Sequence, residues 1–253
     1  QQQLLALLAP AEASDIARSL VLEGEQLWAP KWGLGPVETN VMTGDPITPT
    51  LVGLWSAGLL DADLAGRAYA VLKKNADEVP PAGSSARGRS GNANYIAKGF
   101  VTYTAHAENG DSDVYRGGSA TLEYALADAA LSTMAQALGH SDDAARYRVR
   151  AQNYRSIWDT STQAMRARTA AGTFVSQSDP SQSPGFHEGT AIQYQWLVQQ
   201  DVPGLVALMG GKAEAIKRLD NFFAYAKLLA DPEATARNVW VSGSYSYYGT
   251  TTY

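Results

Sequence analysis

The chain has 253 residues, with 20 Lys and Arg against 25 Asp and Glu, a net charge of -5 and no cysteine. That length is enough to bury a core for one large domain or two small ones, and the lack of Cys excludes disulfides, thiolate nucleophiles, iron–sulfur clusters and Cys-type zinc sites. The acidic balance and the absence of a basic run predict no nucleic-acid partner, while three scattered histidines (His106, His140 and His187) leave calcium or magnesium, held by oxygen ligands, as the expected metals.

Taken in chain order, helix signals dominate. Leu4, Leu5, Leu7 and Leu8, then Ile16, Leu20 and Val21, predict one or two amphipathic helices interrupted at Pro10. Asp45-Pro46 reads as an N-cap opening a helix through Leu51, Leu54 and Trp55 that stops at Gly58. Asp61 caps the next, through Leu64, Ala68, Val71 and Leu72, which ends before Pro80-Pro81. Residues 80–94 are loop by composition. Over 119–138, Leu122, Leu126, Ala129, Met134 and Leu138 keep the spacing of a helix face, closed by Gly139. Ser141 is expected to cap a partner running through Tyr154 to Trp158. Short alternating pieces at 165–168 and 173–175 flank Ala170-Ala171-Gly172 and predict a small hairpin.

A second polar loop is expected at 177–185. More helix follows at 190–198, in a turn or two at 204–211, over 212–229 and from Asp231-Pro232. No apolar stretch approaches the roughly 20 residues of a transmembrane helix. The pattern of helix pairs joined by long polar loops predicts an all-α fold, a toroid or solenoid forming one domain, with function carried in the loops at one end.

The familiar signatures are missing: no phosphate-binding G-x-x-x-x-G-K-[ST], no G-x-S-x-G elbow, no H-E-x-x-H. What remains is a set of carboxylates where loops meet helices, among aromatic residues. Asp45 lies in Met42-Thr43-Gly44-Asp45-Pro46, Glu123 and Asp128 share the predicted 119–138 helix, and Glu188 lies in Phe186-His187-Glu188-Gly189-Thr190. Paired carboxyl groups in an aromatic-lined cup suit glycoside hydrolysis, in which one acid protonates the leaving oxygen and a second group activates water or attacks the sugar. Each also has a plain structural reading. Asp45 is placed as an N-cap, Glu123 can form a salt bridge, Asp128 can pair with Arg, and Glu188 can favour a helix dipole.

Asn40-Val41-Met42-Thr43-Gly44-Asp45-Pro46 and Ser119-Ala120-Thr121-Leu122-Glu123-Tyr124-Ala125 resemble segments of glycoside hydrolase family 92. So do the run from Glu188 to Trp196, and Asp201-Val202-Pro203-Gly204-Leu205 with Met209-Gly210-Gly211. The resemblance implies an (α/α)6 toroid, here an incomplete portion with a small β-hairpin insertion. It implies a calcium-dependent, inverting exo-α-mannosidase acting on mannose-containing glycans. It carries the general acid onto Glu188, substrate-binding or supporting roles onto Asp45 and Glu123, and calcium ligation onto Gln193 with Thr190.

Two departures, Ile192 in place of Trp and Gln199-Gln200 in place of Pro-His, are expected either to shift linkage preference or to mark a member that no longer turns over mannosides. The N-terminal β-sandwich, the general base and most calcium ligands are expected elsewhere in the same polypeptide. Residues 1–253 alone are therefore expected to be inactive. The resemblance also implies a secreted, periplasmic or cell-surface protein. The alternatives are another carbohydrate-active (α/α)-toroid enzyme and a non-catalytic helical carbohydrate-binding or scaffold module.

Overall fold

The computed structural model describes residues 2–34, 37–105, 112–176 and 184–224. His106, most of the 177–185 loop, the end of the predicted 212–229 helix and the Asp231-Pro232 start lie outside the described residues. The rest is mostly helical. Helices α1 (Gln2–Leu8) and α2 (Pro10–Gln26) are separated at Ala9, with Pro10 in the first turn of α2, where its missing N–H costs nothing. A two-residue hairpin, β1 (Gly33–Leu34) with β2 (Val37–Glu38), follows. Helix α3 (Ile47–Ser56) precedes a left-handed Gly58, and α4 (Ala62–Asp77) starts where Asp61 accepts from the Leu64 amide at 2.8 Å.

The centre of the molecule is α7 (Gly117–Ala137). Its residues are apolar or small on nearly every side, and a helix hydrophobic all round must be enclosed by others. On one side α7 packs against α3, α4 and α8 (Ser141–Arg150) through Leu131, Met134 and Ala135, with Leu51, Leu64, Leu72 and Tyr147, and α2 joins the same core through Ala13, Ala17 and Val21. On the other it meets a second core of Tyr154, Ile157, Trp158, Met165 and Leu205, which takes in α9 (Ala191–Tyr194) and α10 (Val202–Leu208). Helix α11 (Lys212–Ala224) closes the described part. Two short helices, α5 (Asn92–Lys98) and α6 (Ser112–Tyr115), lead into α7.

Three expectations need correction. The helix from Ser141 ends at Arg150: a 3-10 turn covers Asn153–Ile157, and Trp158 lies in strand β3 (Trp158–Asp159), paired with β4 (Ala164–Met165). Ser141 is itself helical, and no side chain caps that terminus. Within the supposed 80–94 loop, α5 begins at Asn92, whose side-chain amide is fully buried and donates to the carbonyls of Ala76 and Glu78 at 3.0 Å. The Ala170–Gly172 hairpin is present in reduced form, as a turn joined by an antiparallel bridge between Arg168 and Phe174.

The loop before α3 and the start of α7 come together because two glycines let backbone approach backbone or side chain. Gly44, at φ +100°, lies flat on Glu123, where a Cβ would meet that side chain at 2.8 Å. Gly118 lies against the Gly185 carbonyl, which a Cβ would reach at 2.9 Å. This crossing brings residues 186–190 over the N-terminal turns of α7.

Candidate active site

Four segments converge at that end of α7: Lys31 from the loop after α2, Thr43–Asp45 before α3, residues 112–123 of α6 and α7, and residues 186–190. Asp113, fully buried, is their hub. Its Oδ1 receives the Lys31 ammonium at 2.8 Å and the Gly44 amide at 2.9 Å, while its Oδ2 accepts from Ser90 Oγ at 3.2 Å and from the Tyr124 hydroxyl. Lys31 also donates to Asn40 Oδ1 at 3.3 Å. A buried charge is tolerable only when paired and hydrogen-bonded, and here both ions are.

Asp45 lies behind this wall. It is 2% exposed, and both its oxygens are engaged: Oδ1 accepts from the Thr48 amide at 3.2 Å, and Oδ2 from Thr48 Oγ1 at 2.7 Å and Arg89 Nε at 2.8 Å. Arg89 continues to Asp128 Oδ1 at 2.7 Å, and Arg150 reaches Asp128 Oδ2 at 2.7 Å and Asp77 Oδ1 at 3.1 Å. Burial works against the Arg89 charge, yet Asp128 and Asp45 outweigh it and leave its pKa raised. So the structural readings of Asp45, as a helix-start acceptor, and of Asp128, as an Arg partner, describe their positions. Asp45 is a scaffold group beside the Gly44 turn.

Glu123 is different. Among the described residues, no hydrogen bond or ion pair neutralises it. Burial, then the charges of Asp113 and Asp45, push its pKa up to about 8 against a smaller pull from Lys31. At neutral pH it therefore carries a proton and can donate a hydrogen bond. Five residues apart on one helix, Glu123 and Asp128 occupy opposite electrostatic situations.

Glu188 sits at the loop-to-helix junction, its side chain 38% exposed and its backbone at φ +48°. A non-glycine residue in the left-handed region is strained, a condition that concentrates at functional sites. The strain is held on its N-terminal side, where the His187 amide donates to Ser119 Oγ at 2.8 Å and the Ser119 amide to the Gly185 carbonyl at 3.1 Å. His187 is buried, with its pKa pushed down to about 4 by burial first, then by Arg116 and Lys31, so the ring is neutral at pH 7. Its Nε2 lies 3.8 Å from Glu188 Oε1. Arg116 lies close enough for its charge to be felt by both, its guanidinium 4.0 Å from the centre of the Tyr115 ring.

Thr190 is the N-cap of α9. Its amide donates to Gln193 Oε1 at 2.6 Å, and its carbonyl accepts from the Gln193 amide at 3.0 Å. The Gln193 side chain turned back on the Thr190 amide is one half of a capping box, and with the backbone bond it is an ordinary means of starting a helix. Among the described residues, no group of three or more His, Asp or Glu side chains is arranged to hold a metal ion.

The structure thus brings Glu123 and Glu188 to the same end of α7, with Lys31 acting on both Glu123 and His187. It leaves Asp45 and Asp128 in the scaffold. Sequence reasoning missed Lys31, Asp113, Arg89, Arg116 and the use of His187. A signal existed for Lys31, a lone cation in the apolar run Trp28-Ala29-Pro30-Lys31-Trp32, and for His187, beside the candidate acid.

A helical body that gathers a neutral carboxyl, a strained exposed one and aromatic rings at a single end has the makings of an enzyme acting on sugars. The comparisons narrow that class. The model of the glycosyl hydrolase family 92 catalytic domain matches residues 1–249, and the chain belongs to this family.

Among solved structures, it is similar to the family GH92 inverting mannosidase BT2199 from Bacteroides thetaiotaomicron VPI-5482, with a TM-score of 0.74 and 28% identity over 83% of this chain and 27% of that one. The family GH92 α-mannosidase BT3965 from Bacteroides thetaiotaomicron gives a TM-score of 0.68 and 28% identity, over 82% of this chain and 26% of that one. The same enzyme in complex with mannoimidazole gives 0.70 and 27%, over 83% and 27%. The chain therefore spans about a quarter of the length of these mannosidases. No curated protein matches. The helical architecture expected from the sequence is that of these enzymes.

Proposed function

We propose that this chain is the part of an α-mannosidase that carries the general acid, and that the polypeptide releases terminal mannose from α-mannosides with inversion. The observation that supports this most is the family match over residues 1–249, together with Glu188 standing exposed and strained at the rim of the Lys31–Asp113 wall. Glu188 would protonate the departing glycosidic oxygen. A carboxylate from another part of the polypeptide would activate water on the opposite face of the sugar, at a carboxyl separation of about 6.5–9.5 Å. Glu123, protonated at neutral pH, would donate to a sugar hydroxyl. Asp45 would act one layer behind, by holding the Gly44 turn against Glu123.

Calcium enters this proposal from the family resemblance, and the described donor set does not fit a complete site. Calcium takes six to eight oxygen ligands. Gln193 Oε1 already accepts from Thr190, and among the described residues no carboxylate cluster accompanies the pair. Gln193 and Thr190 would contribute at most an edge of such a site, so no step is assigned to the ion. Export of the protein, to the periplasm, the cell surface or the medium, is likewise proposed from the family.

The test is a panel of aryl glycosides given to the complete polypeptide, with calcium or with chelator, following the anomeric form first released. Hydrolysis of α-mannosides with release of β-mannose is the expected result. Hydrolysis confined to another sugar, or none, would leave the family fold without this activity.

A further inference from the structure

His187, Thr43 and Ser112 form a buried relay that ends at Glu188. Thr43 Oγ1 lies 2.7 Å from His187 Nδ1, 2.8 Å from Ser112 Oγ and 3.4 Å from the Ser112 carbonyl; Ser112 Oγ is 3.4 Å from the same Nδ1. All three residues are buried. Two proton arrangements satisfy the short contacts, and they point in opposite directions.

In the first, Ser112 donates to Thr43, Thr43 donates to Nδ1, and the ring keeps its proton on Nε2, facing Glu188. In the second, Nδ1 donates to Thr43, whose own proton turns either to Ser112 Oγ, leaving the Ser112 hydroxyl no further acceptor among its described contacts, or to the Ser112 carbonyl at a stretched 3.4 Å. Either way a bare Nε2 lone pair faces a carboxyl oxygen. An unmet buried hydroxyl and a stretched hydrogen bond are both unfavourable, and a lone pair set against a carboxyl oxygen adds repulsion, so the first arrangement is favoured. Protonation of both ring nitrogens is opposed by Arg116 and Lys31, the two cations whose charges reach the ring; Glu188 is the carboxyl at its Nε2 side.

We propose that His187, fixed by Thr43 and Ser112 as the neutral Nε2–H tautomer, is the positioning residue that orients Glu188. The 3.8 Å gap between Nε2 and Oε1 is beyond hydrogen-bond reach, and a rotation of the half-exposed Glu188 side chain closes it. With Nε2–H on Oε1, the proton of the neutral acid is confined to Oε2, the oxygen turned away from the ring. Nothing is consumed: one hydrogen bond forms, and the transferable proton is assigned to one oxygen. The left-handed backbone of Glu188 fits this role, because it points consecutive residues 187 and 188 at each other.

This inference rests on the reading of Glu188 as general acid, and the experiment separates the two. The complete polypeptide, labelled with 15N at its histidines, should show His187 with a protonated Nε2 and an unprotonated Nδ1 at pH 7. A protonated Nδ1 overturns the proposal, whatever the variants do. In kinetics, loss of an acid matters for poor leaving groups and little for 2,4-dinitrophenolate, which departs unprotonated. His187→Phe should lower kcat for methyl or mannosyl leaving groups by roughly tenfold or more, with little change for dinitrophenyl α-mannoside and in KM.

His187→Gln, which keeps an N–H donor, should recover much of that loss, and Thr43→Val should reproduce part of it. Equal losses on both substrates would mark His187 as structural and overturn the inference. If Glu188→Gln itself shows no leaving-group dependence, the acid assignment falls, and this inference with it.

Discussion

Two stretches of α7 treat carboxyl groups in opposite ways. Around Asp128, every charge is met: Arg89 and Arg150 enclose it, Asp45 and Asp77 extend the chain, and Tyr95 adds its hydroxyl at 3.2 Å. Around Glu123 and Glu188, the needs of the side chains are left open. Glu123 holds a proton because burial, then the like charges of Asp113 and Asp45, raise its pKa; His187 stays neutral because burial, then nearby cations, lower its pKa; and Glu188 accepts a backbone strain. The first stretch costs desolvation and returns geometry. The second keeps groups in states that water would not allow, which is what acid chemistry requires.

That contrast can be broken experimentally. The largest expected effect is on stability: Arg89→Met leaves Asp45 and Asp128 buried without their shared partner, and urea unfolding should show a loss of about 3–5 kcal/mol. A loss under 1 kcal/mol would mean that water or relaxation replaces the guanidinium, and that the network is not the scaffold.

Stability against pH gives a second test. An unfolded Glu ionises near pH 4.5, whereas Glu123 keeps its proton up to about 8, so the native state binds more protons in between and its stability falls as pH rises through that window. His187 does the opposite between pH 6.5 and 4: the native ring stays neutral while the unfolded one gains a proton, so stability falls as pH drops. From pH 6.5 to 8 the Glu123 effect is the larger of the two, with a slope of up to about 1.4 kcal/mol per unit. Glu123→Gln should flatten that limb. An unchanged limb would assign the slope to another group.

The smallest effect bears on the strain. Glu188→Gly removes the penalty of the left-handed backbone, and the unfolding free energy should rise by about 1 kcal/mol. Thermal unfolding that shows no gain would mean that the conformation is not strained.

Much of the scaffold was legible because its signals are local. Pro10, Gly58, Asp61 and Gly139 punctuate helices through their own backbone chemistry, and the Ala-rich 119–138 periodicity needs no partner to be read. The two-residue strands β1 to β4 are too short for a period. Helix α5 exists because Asn92 reaches the end of α4, and α8 stops at Arg150 although the apolar spacing runs on to Trp158, because Trp158 pairs with Met165.

The site divides in the same way. Position and aromatic neighbours single out Asp45, Glu123, Asp128 and Glu188 together, and nothing in the spacing separates the four. The roles of Asp45 and Asp128 were undecided until Arg89 appeared between them. Lys31 and Asp113 meet only through the crossing over α7, which no spacing along the chain encodes.

The most direct measurement is Glu188→Gln in the complete polypeptide, following hydrolysis of an unactivated α-mannoside and the thermal midpoint together. The account predicts a loss of activity of roughly a hundredfold or more, with the midpoint unchanged, because this side chain is exposed and holds no part of the Arg89 network. Retained activity in the Gln variant would contradict the assignment of Glu188 as the acid.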